Sequence, residues 1–290
     1  MNRFKIGVMA DWLGGTFRQN IETTAAMGAQ GVQLYATGEF SDFTPDTVKG
    51  ERLRETKRIL AANGIEVSAL CGDLGGHGFQ IPKDNVWKIE KSKRIIDLAL
   101  ELGANVVTTH IGVVPDTVND TYQIMQQACN ELAEYAQSVG AYFAVETGPE
   151  KAAMLKEFLD SLSARGVRVN FDPANLVMVT QDDPVAAVPL LGDYIVHTHA
   201  KDGVNLKPCD RHAIYNSFAE GGVDGFSAGD YMKELPLGQG NVDFPAYIAA
   251  LAAIDYRGYL TVEREVREDP RADIEMAVGF LKELTASYQI

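Results

Sequence analysis

Four side chains that can bind a metal ion follow apolar, strand-like runs in the second half of this sequence. They are Glu146 after AYFAV, Asp172 after VRVNF, His199 in YIVHTH and Glu263 after YLTV. If the ends of these runs meet, three carboxylates crowd together, and without a counter-charge they repel one another and take up protons. A divalent cation resolves that conflict. Oxygen-rich ligation with one imidazole favours Mn²⁺ or Mg²⁺, with Co²⁺ or Zn²⁺ as alternatives.

Other polar and aromatic residues at predicted strand ends are candidates for substrate contact. Trp12 follows the first strand and His110 the fourth, although each is as compatible with packing in the core. Lys201 and Asp202 come shortly after His199 and are expected to form an ion pair or hydrogen-bonded group that borders the site, with Lys201 also a candidate for substrate contact. Because side chains alternate along a strand, His197 is predicted to point to the same face as His199, one layer deeper. There it either supports the site or packs in the core.

A repeated pattern predicts the elements that must position these residues. A segment with helical spacing leads to a glycine and then to a β-branched apolar run that ends in polar residues. Each glycine is predicted to end a helix in the left-handed conformation; the seven are Gly28, Gly64, Gly103, Gly140, Gly166, Gly192 and Gly258. With the opening run FKIGVMAD, the pattern predicts eight strands. Apolar strands without clean alternation are typical of a parallel sheet covered by helices, so we expect a (β/α)8 TIM barrel in α/β architecture.

The spacing between repeats lengthens after the seventh strand. Residues 203–242 are rich in Gly, Asp, Asn and Ser and show weak periodicity, which predicts a long loop over the mouth of the barrel. Active sites of such barrels lie at the carboxyl ends of the strands, so this loop is expected to act as a lid. No linker composition interrupts the pattern, and we expect a single domain over residues 1–290.

Composition excludes several classes of function. The formal net charge of −14 and the absence of a lysine- or arginine-rich run disfavour nucleic acids and anionic membranes as partners. Three widely spaced cysteines predict free thiols in a reducing compartment. The amino-terminal run is too short for a signal peptide or a membrane span, so we expect a cytoplasmic protein.

Five stretches, taken in order, resemble a known superfamily. They are AVETG, NFDPANL, HTHAKD, PLGQGNVDF and LTVERE. Together they are similar to the xylose-isomerase-like barrels, a superfamily of sugar isomerases and epimerases that also contains metal-dependent AP endonucleases. The resemblance covers essentially the whole chain, and it is not specific for one substrate.

The resemblance, and in particular the ketose 3-epimerase branch, implies a mechanism. Glu146 and Glu263 would bind the metal and also form the acid/base pair, while Asp172 and His199 complete the ligand set. The metal would hold the carbonyl and a hydroxyl of a ketose, one glutamate would remove a proton, and the cation would hold the enediolate. The other glutamate would return a proton, giving epimerisation or aldose–ketose isomerisation.

The endonuclease branch is the alternative that the sequence tests most directly. Asp210, Arg211 and His212 reproduce its DRH segment, but strand three ends in ALCGD without a histidine. Asn175 also stands where that branch has histidine, so its additional metal positions are incomplete. We therefore expect Asn175, Arg211 and His212 to contact a sugar, the last two through closure of the loop.

Several alternatives remain open on sequence grounds. The same enolisation followed by loss of a β-hydroxyl describes a dehydratase of cyclic polyol ketones of the inosose type, and hydroxypyruvate isomerisation is another variant. A sugar-binding module without catalysis is disfavoured because binding alone does not need a proton-transfer pair. The expected partner is a small sugar or sugar phosphate, and a homodimer or homotetramer is expected.

Overall fold

Eight parallel strands form a closed barrel in the computed structural model, which describes residues 2–38, 42–266 and 269–289. The order around the barrel is β1, β10, β7, β6, β5, β4, β3 and β2. The strands are β1 (Lys5–Met9), β2 (Gly31–Tyr35), β3 (Glu66–Cys71), β4 (Val106–Thr109), β5 (Tyr142–Glu146), β6 (Val167–Phe171), β7 (Ile195–Ala200) and β10 (Tyr259–Val262). The predicted TIM barrel is confirmed, and the eighth predicted strand is β10.

Helices connect the strands and surround the barrel. They are α1 (Phe17–Met27), α2 (Gly50–Asn63), α3 (Pro82–Glu101), α4 (Asp120–Val139), α5 (Ala152–Asp160), the single turn α6 (Pro173–Asn175), α7 (Pro184–Leu191), α9 (Phe244–Ala253) and α10 (Arg271–Thr285). A π-helical turn at Leu176–Thr180 continues α6. Among the described residues, no helix is both long and apolar enough to cross a lipid bilayer.

The strands are buried on both faces, as the predicted parallel sheet requires. All five residues of β2 are buried, as are the last four of β5. Branched and aromatic side chains such as Val145, Phe143 and Phe171 pack in the core, where burying each stabilises the fold by about 2–3 kcal/mol. The polar residues at the strand ends are therefore held on a rigid frame.

The glycine prediction is confirmed at four positions and wrong at three. Gly28, Gly64, Gly103 and Gly140 have φ between 64° and 86°. Gly192 has φ −47°, so it adopts a right-handed conformation. At Gly166 a Cβ would lie 2.0 Å from the Ala133 carbonyl oxygen, and at Gly258 it would lie 2.3 Å from a tyrosine hydroxyl. These two positions need glycine for close packing rather than for a turn.

The insertion after β7 is present, but its interior has more regular structure than a long loop. It contains β8 (Asp202–Asn205) and β9 (Met232–Leu235), which pair antiparallel, and the helix α8 (Arg211–Ala219) between them. Asp210 caps α8 by accepting a hydrogen bond from the amide of His212 at 2.9 Å. Four-residue strands and a nine-residue helix are too short to produce a periodic signal among polar and glycine residues.

Asp202 ties the insertion to the barrel. Its carboxylate accepts hydrogen bonds from the backbone amides of Gly203, Gly238, Gly240 and Val242, at 2.8–3.1 Å. A Cβ at Gly240 would lie 2.1 Å from this carboxylate, so glycine is needed there. The HTHAKD and PLGQGNVDF stretches are thus joined by one buried side chain.

Candidate active site

The four residues predicted to bind a metal come together at the carboxyl ends of neighbouring strands. Glu146 ends β5, Asp172 follows β6, His199 lies near the end of β7 and Glu263 follows β10. Each offers one ligand atom, and these atoms all lie within 4.8 Å of one another. All four side chains are buried. The four side chains that follow neighbouring strands therefore form the cluster that the sequence predicts.

His199 lies at the centre of this cluster. Its Nδ1 is 3.1 Å from Oε2 of Glu263, 3.6 Å from Oε2 of Glu146 and 3.7 Å from Oδ2 of Asp172. Its Nε2 is 3.1 Å from Oε1 of Gln33 on β2. When Nε2–H donates to Gln33, the lone pair of Nδ1 faces the three carboxylates, as a metal-binding imidazole requires.

The donor set fits a divalent cation. Oδ1 of Asp172 accepts hydrogen bonds from the amides of Ala174 and Asn175, while its buried Oδ2 has no hydrogen-bond partner among the described residues. A buried anionic oxygen without a partner is costly unless a cation satisfies it. Three carboxylate oxygens and one imidazole nitrogen are the ligand types that Mn²⁺ and Mg²⁺ accept.

The charge balance of the cluster leads to the same conclusion. Burial is the largest single influence on His199 and favours its neutral form. Coulombic attraction to Glu263 and Glu146 outweighs that influence, so the pKa of His199 lies well above its usual value. A proton held by three carboxylates occupies the place of positive charge that a metal ion would supply, and metal binding would release it.

Neutral amides hold Glu146 in place. Asn175 Nδ2 donates to Oε1 at 2.9 Å and Asn170 Nδ2 donates to Oε2 at 3.2 Å. Asn175 reaches Glu146 because position 148 is glycine, where a Cβ would lie 2.6 Å from the Asn175 Cβ. Asn170 Oδ1 also accepts a hydrogen bond from His197 Nδ1 at 2.9 Å, so His197 contacts the site from the layer below.

A buried cation holds Glu263. Lys201 Nζ donates to Oε2 of Glu263 at 3.0 Å and to Oε2 of Glu265 at 2.5 Å, and it lies 3.9 Å from Glu234 of β9. Burial alone would raise the pKa of Glu263, but the charges of His199 and Lys201 lower it below its usual value. Lys201 is therefore part of the site, in the ion-pair role that the sequence predicts.

His110 lies beside the cluster and is oriented by an aspartate. Its Nδ1 is 2.9 Å from Oδ2 of Asp73, and its Nε2 is 3.8 Å from Oε1 of Glu146. Burial lowers the pKa of His110, but the nearby carboxylates of Glu146 and Asp73 outweigh it and raise the pKa to about 10. His110 lines the cavity described below, where it can donate a hydrogen bond to an oxygen atom.

Three predicted substrate contacts are not brought to the cavity wall. Trp12 packs against the buried cluster of Met9, Tyr35 and Cys71, behind the lining. His212 lies in the first turn of α8. Arg211 donates to the carbonyl oxygens of Pro149 and Val114 and to Asp116, which fastens α8 to the loops after β4 and β5. Contact of these three residues with a substrate stays a prediction.

Sequence reasoning missed four residues that complete the site. Gln33 and Asn170 lie within strands, Asp73 lies in the loop after β3, and Tyr215 lies on α8. The polar residues inside apolar strands were a usable signal, because Gln33 and Asn170 are fully buried and need partners. Asp73 and Tyr215 gave no local signal, since their partners are distant in sequence.

A cavity of about 620 Å³ opens above the cluster at the mouth of the barrel. Its inner end is lined by Glu146, His199 and Glu263, together with Lys201 and His110. Residues of α8 and β9 also line the cavity, so the insertion, called the lid below, borders the site. The volume lies within the range of about 300–1,000 Å³ typical of small-molecule sites.

Comparisons with known proteins agree with this architecture. A family model described as xylose isomerase-like TIM barrel matches residues 21–284. The inosose dehydratase of Salmonella agona (strain SL483) is 27% identical over 168 residues, which cover 54% of this chain and 50% of that protein. The chain thus aligns with about half the length of this curated relative.

Two solved structures share the fold over nearly their full length. A xylose isomerase domain protein from Planctomyces limnophilus has a TM-score of 0.78 and 25% identity, and the match covers 98% of each chain. The D-psicose 3-epimerase of Clostridium cellulolyticum H10 has a TM-score of 0.71 at 15% identity, covering 97% of this chain and 99% of that one. The latter likeness shows the fold alone. With the family model matching most of its length, the chain belongs to the xylose isomerase-like TIM barrel family.

Proposed function

We propose that this protein is a divalent-metal-dependent sugar isomerase or epimerase that acts on a ketose or a related polyol ketone. The observation that supports this most directly is the approach of two glutamates, one aspartate and one histidine within 4.8 Å. A sugar-binding module would need polar contacts, but it would not need two buried carboxylates with different partners beside one another.

The side chains Glu146, Asp172, His199 and Glu263 would hold the cation, with Mn²⁺ or Mg²⁺ preferred. A divalent cation there would withdraw charge from a ketone oxygen and acidify the adjacent C–H bond. Glu146 and Glu263 then exchange protons with carbon, one as base and the other as acid. Return to the opposite face of the same carbon gives an epimer, and return to the neighbouring carbon gives an aldose.

The other polar residues position the reacting groups. Lys201 keeps Glu263 ionised, and Asn175 and Asn170 fix the carboxylate plane of Glu146. His110 is placed to hold a substrate oxygen on the Glu146 side. The lid made by α8 and β9 would exclude water, which protects an enediolate from side reactions.

Solvent exchange at carbon tests this proposal directly. Metal-loaded protein is incubated in D₂O with free ketoses, a phosphorylated ketose and an inosose, and deuterium incorporation is followed by NMR. We expect incorporation next to the ketone with at least one compound, and its loss after chelation of the metal. Cleavage of an abasic-site DNA duplex without any exchange would replace the proposal with phosphodiester hydrolysis.

A second candidate is dehydration of a cyclic polyol ketone. The partial match to the Salmonella inosose dehydratase and the His110–Asp73 pair beside Glu146 both favour it. A protonated imidazole can donate to a leaving hydroxyl group after the same first deprotonation. In the exchange experiment this reaction appears as loss of water from the inosose, with a new alkene signal.

A further inference from the structure

The cavity is larger than a single sugar ring requires. Its volume is about 620 Å³. If each CH–OH unit of a six-carbon sugar takes roughly the 30 Å³ of one water molecule, the sugar fills roughly 180 Å³. More than half of the cavity would remain empty around a free ketose at the metal cluster. This extra space can hold a second group beside the sugar.

The two ends of the cavity differ in chemistry. The inner end has the carboxylates and imidazoles described above. The outer end is lined by glycines of the loops after β3 and β4, by Val113, and by residues of the lid that include Phe218, Ala219 and Met232. These residues are uncharged, and the polar side chains beside them in the loop after β3 are His77 and Gln80. The outer end therefore suits an uncharged group.

The described side chains that line the cavity offer a phosphate group little positive charge that is not already paired. Among the described lining residues, the side chains that can carry positive charge are Lys201 and three histidines. Lys201 is already surrounded by Glu263, Glu265 and Glu234. His77, in the loop after β3, lies 3.7 Å from Glu220. Lys201 and His110 are already paired with carboxylates, so a phosphate dianion would have to compete with those carboxylates, which disfavours its binding.

An aromatic path leads from the metal cluster to the outer end. The ring of Tyr215 is 6.1 Å from the ring of His110, between centroids, and the ring of Phe218 is 6.1 Å from that of Tyr215 at 90°. Phe218 lines the cavity, yet it is 56% exposed. An exposed aromatic ring at the mouth of a small-molecule site offers a flat face for a ligand ring.

Asn216 lines the cavity on the same turn of α8, next to this aromatic face. Its amide has both a donor and an acceptor, which suits hydroxyl groups. Because Arg211 fastens α8 to the loops after β4 and β5, Phe218 and Asn216 stay at a fixed distance from the reacting end.

We infer that the outer end is a second binding subsite, which holds an uncharged sugar ring attached to the ketone-bearing sugar unit that lies at the metal cluster. The substrate is then a glycosylated, unphosphorylated ketone rather than a free monosaccharide or a sugar phosphate. This inference rests on the proposed function for the inner end, whereas the subsite itself rests on Phe218, Asn216 and the size of the cavity.

The test compares substrates and variants of the holoenzyme. Deuterium exchange is measured with fructose, fructose 6-phosphate and the glucosyl-fructose disaccharides maltulose and isomaltulose, which carry the second ring at different positions. We expect kcat/KM for at least one disaccharide to exceed that for fructose by about tenfold. The Phe218→Ala variant should lower kcat/KM for that disaccharide by about tenfold more than for fructose. Leu206→Ala, which removes an exposed side chain of the same insertion away from the cavity, should change neither value.

Binding separates failure of the subsite from failure of the proposed function. Saturation-transfer NMR on the metal-loaded protein should show contact with the glucosyl ring that weakens in Phe218→Ala and persists in Leu206→Ala. That result supports the subsite even if no compound exchanges deuterium, in which case only the proposed reaction fails. Equal binding of fructose and both disaccharides, equal effects of Phe218→Ala on all of them, or preference for fructose 6-phosphate would overturn the inference.

Discussion

Glu146 and Glu263 both approach Nδ1 of His199, but they have different hydrogen-bond partners. Glu146 accepts hydrogen bonds from the side-chain amides of Asn175 and Asn170, and His110 lies 3.8 Å away. Glu263 accepts a hydrogen bond from the buried ammonium group of Lys201 at 3.0 Å. Two amides with an imidazole 3.8 Å away stabilise a carboxylate to a different degree than an ammonium group that donates a hydrogen bond to it directly.

This difference indicates that the two glutamates are not interchangeable. The Lys201 charge favours the ionised form of Glu263, whereas the amides of Asn175 and Asn170 mainly fix the orientation of Glu146. Two titratable groups in unequal surroundings are the usual basis for separate acid and base roles. Four changes test how far this asymmetry extends, beginning with the largest expected effect.

Removing either carboxylate should abolish proton transfer. We expect Glu146→Gln and Glu263→Gln each to lower the rate of deuterium exchange by about a thousandfold or more, because general acid–base catalysis contributes about 10²–10⁴. Both variants should retain part of the bound metal, measured by elemental analysis, since three ligands remain. Glu275→Gln, at an exposed position of α10, serves as the control and should have full activity. Full activity in either site variant would refute the assignment of an acid/base pair.

Removing the cation beside Glu263 should destabilise the fold. In Lys201→Met, the buried carboxylate of Glu263 and the partly exposed carboxylate of Glu265 lose their partner, which we expect to lower the free energy of unfolding of metal-free protein by about 3–5 kcal/mol. Lys93→Met is the matched control, because Lys93 pairs with Glu90 and Glu131 at the surface. Its replacement should lower the free energy of unfolding by less than about 1 kcal/mol. Denaturant titration measures both. Equal effects would show that burial does not distinguish the two lysines.

A third buried glutamate shows what burial does when the nearest cation is farther away. Glu150 follows β5, is 1% exposed and lies 3.7 Å from Arg211. Burial raises its pKa from 4.5 to about 7, although a hydrogen bond from Val114 and the charge of Arg211 oppose the rise. The protonated carboxyl group of Glu150 contributes stability to the folded protein that is fully present below the unfolded pKa of 4.5. This contribution is lost as pH rises through about 7.

Replacing this group should remove that pH dependence. The free energy of unfolding of Glu150→Gln minus that of the wild type should rise by roughly 2 kcal/mol from pH 5.5 to pH 8.5, because only the wild type loses stability over this range. Denaturant titration at the two pH values measures the change, and the exposed Glu283→Gln should show none. A constant difference would mean that Glu150 ionises in the folded protein as it does in water.

Weakening the cradle of Glu146 should have the smallest effect. Asn175→Ala removes one hydrogen bond to the carboxylate while Asn170 retains the other, so we expect deuterium exchange to slow by about tenfold. Asn205→Ala removes a comparable side-chain hydrogen bond, to the carbonyl of Met178, in the insertion and should leave exchange unchanged. A loss as large as that of Glu146→Gln would mean that Asn175 itself takes part in the reaction.

The barrel and the metal cluster were accessible from sequence because both depend on a regular repeat. Each βα unit places the residue that follows its strand at the same end of the barrel. The approach of Glu146, Asp172, His199 and Glu263 could therefore be predicted from the repeat alone. The lid was harder to predict, since β8, α8 and β9 are short and the residues that fasten them, Asp202 and Arg211, bond to distant backbone groups. The contacts of Arg211 with the loops after β4 and β5 could not be predicted, because these loops are distant from Arg211 in sequence.

What the sequence determined by itself is therefore the set of elements and which strand ends carry charge, because strand alternation and the βα repeat are local properties of the chain. Closure of the barrel decided the rest: which side chains meet across it, as Gln33 meets His199 and Asp73 meets His110. The different surroundings of the two glutamates, and the uncharged outer end of the cavity, arise from contacts between segments far apart in sequence. Such contacts depend on the distances set by packing, and no local pattern of residues encodes those distances.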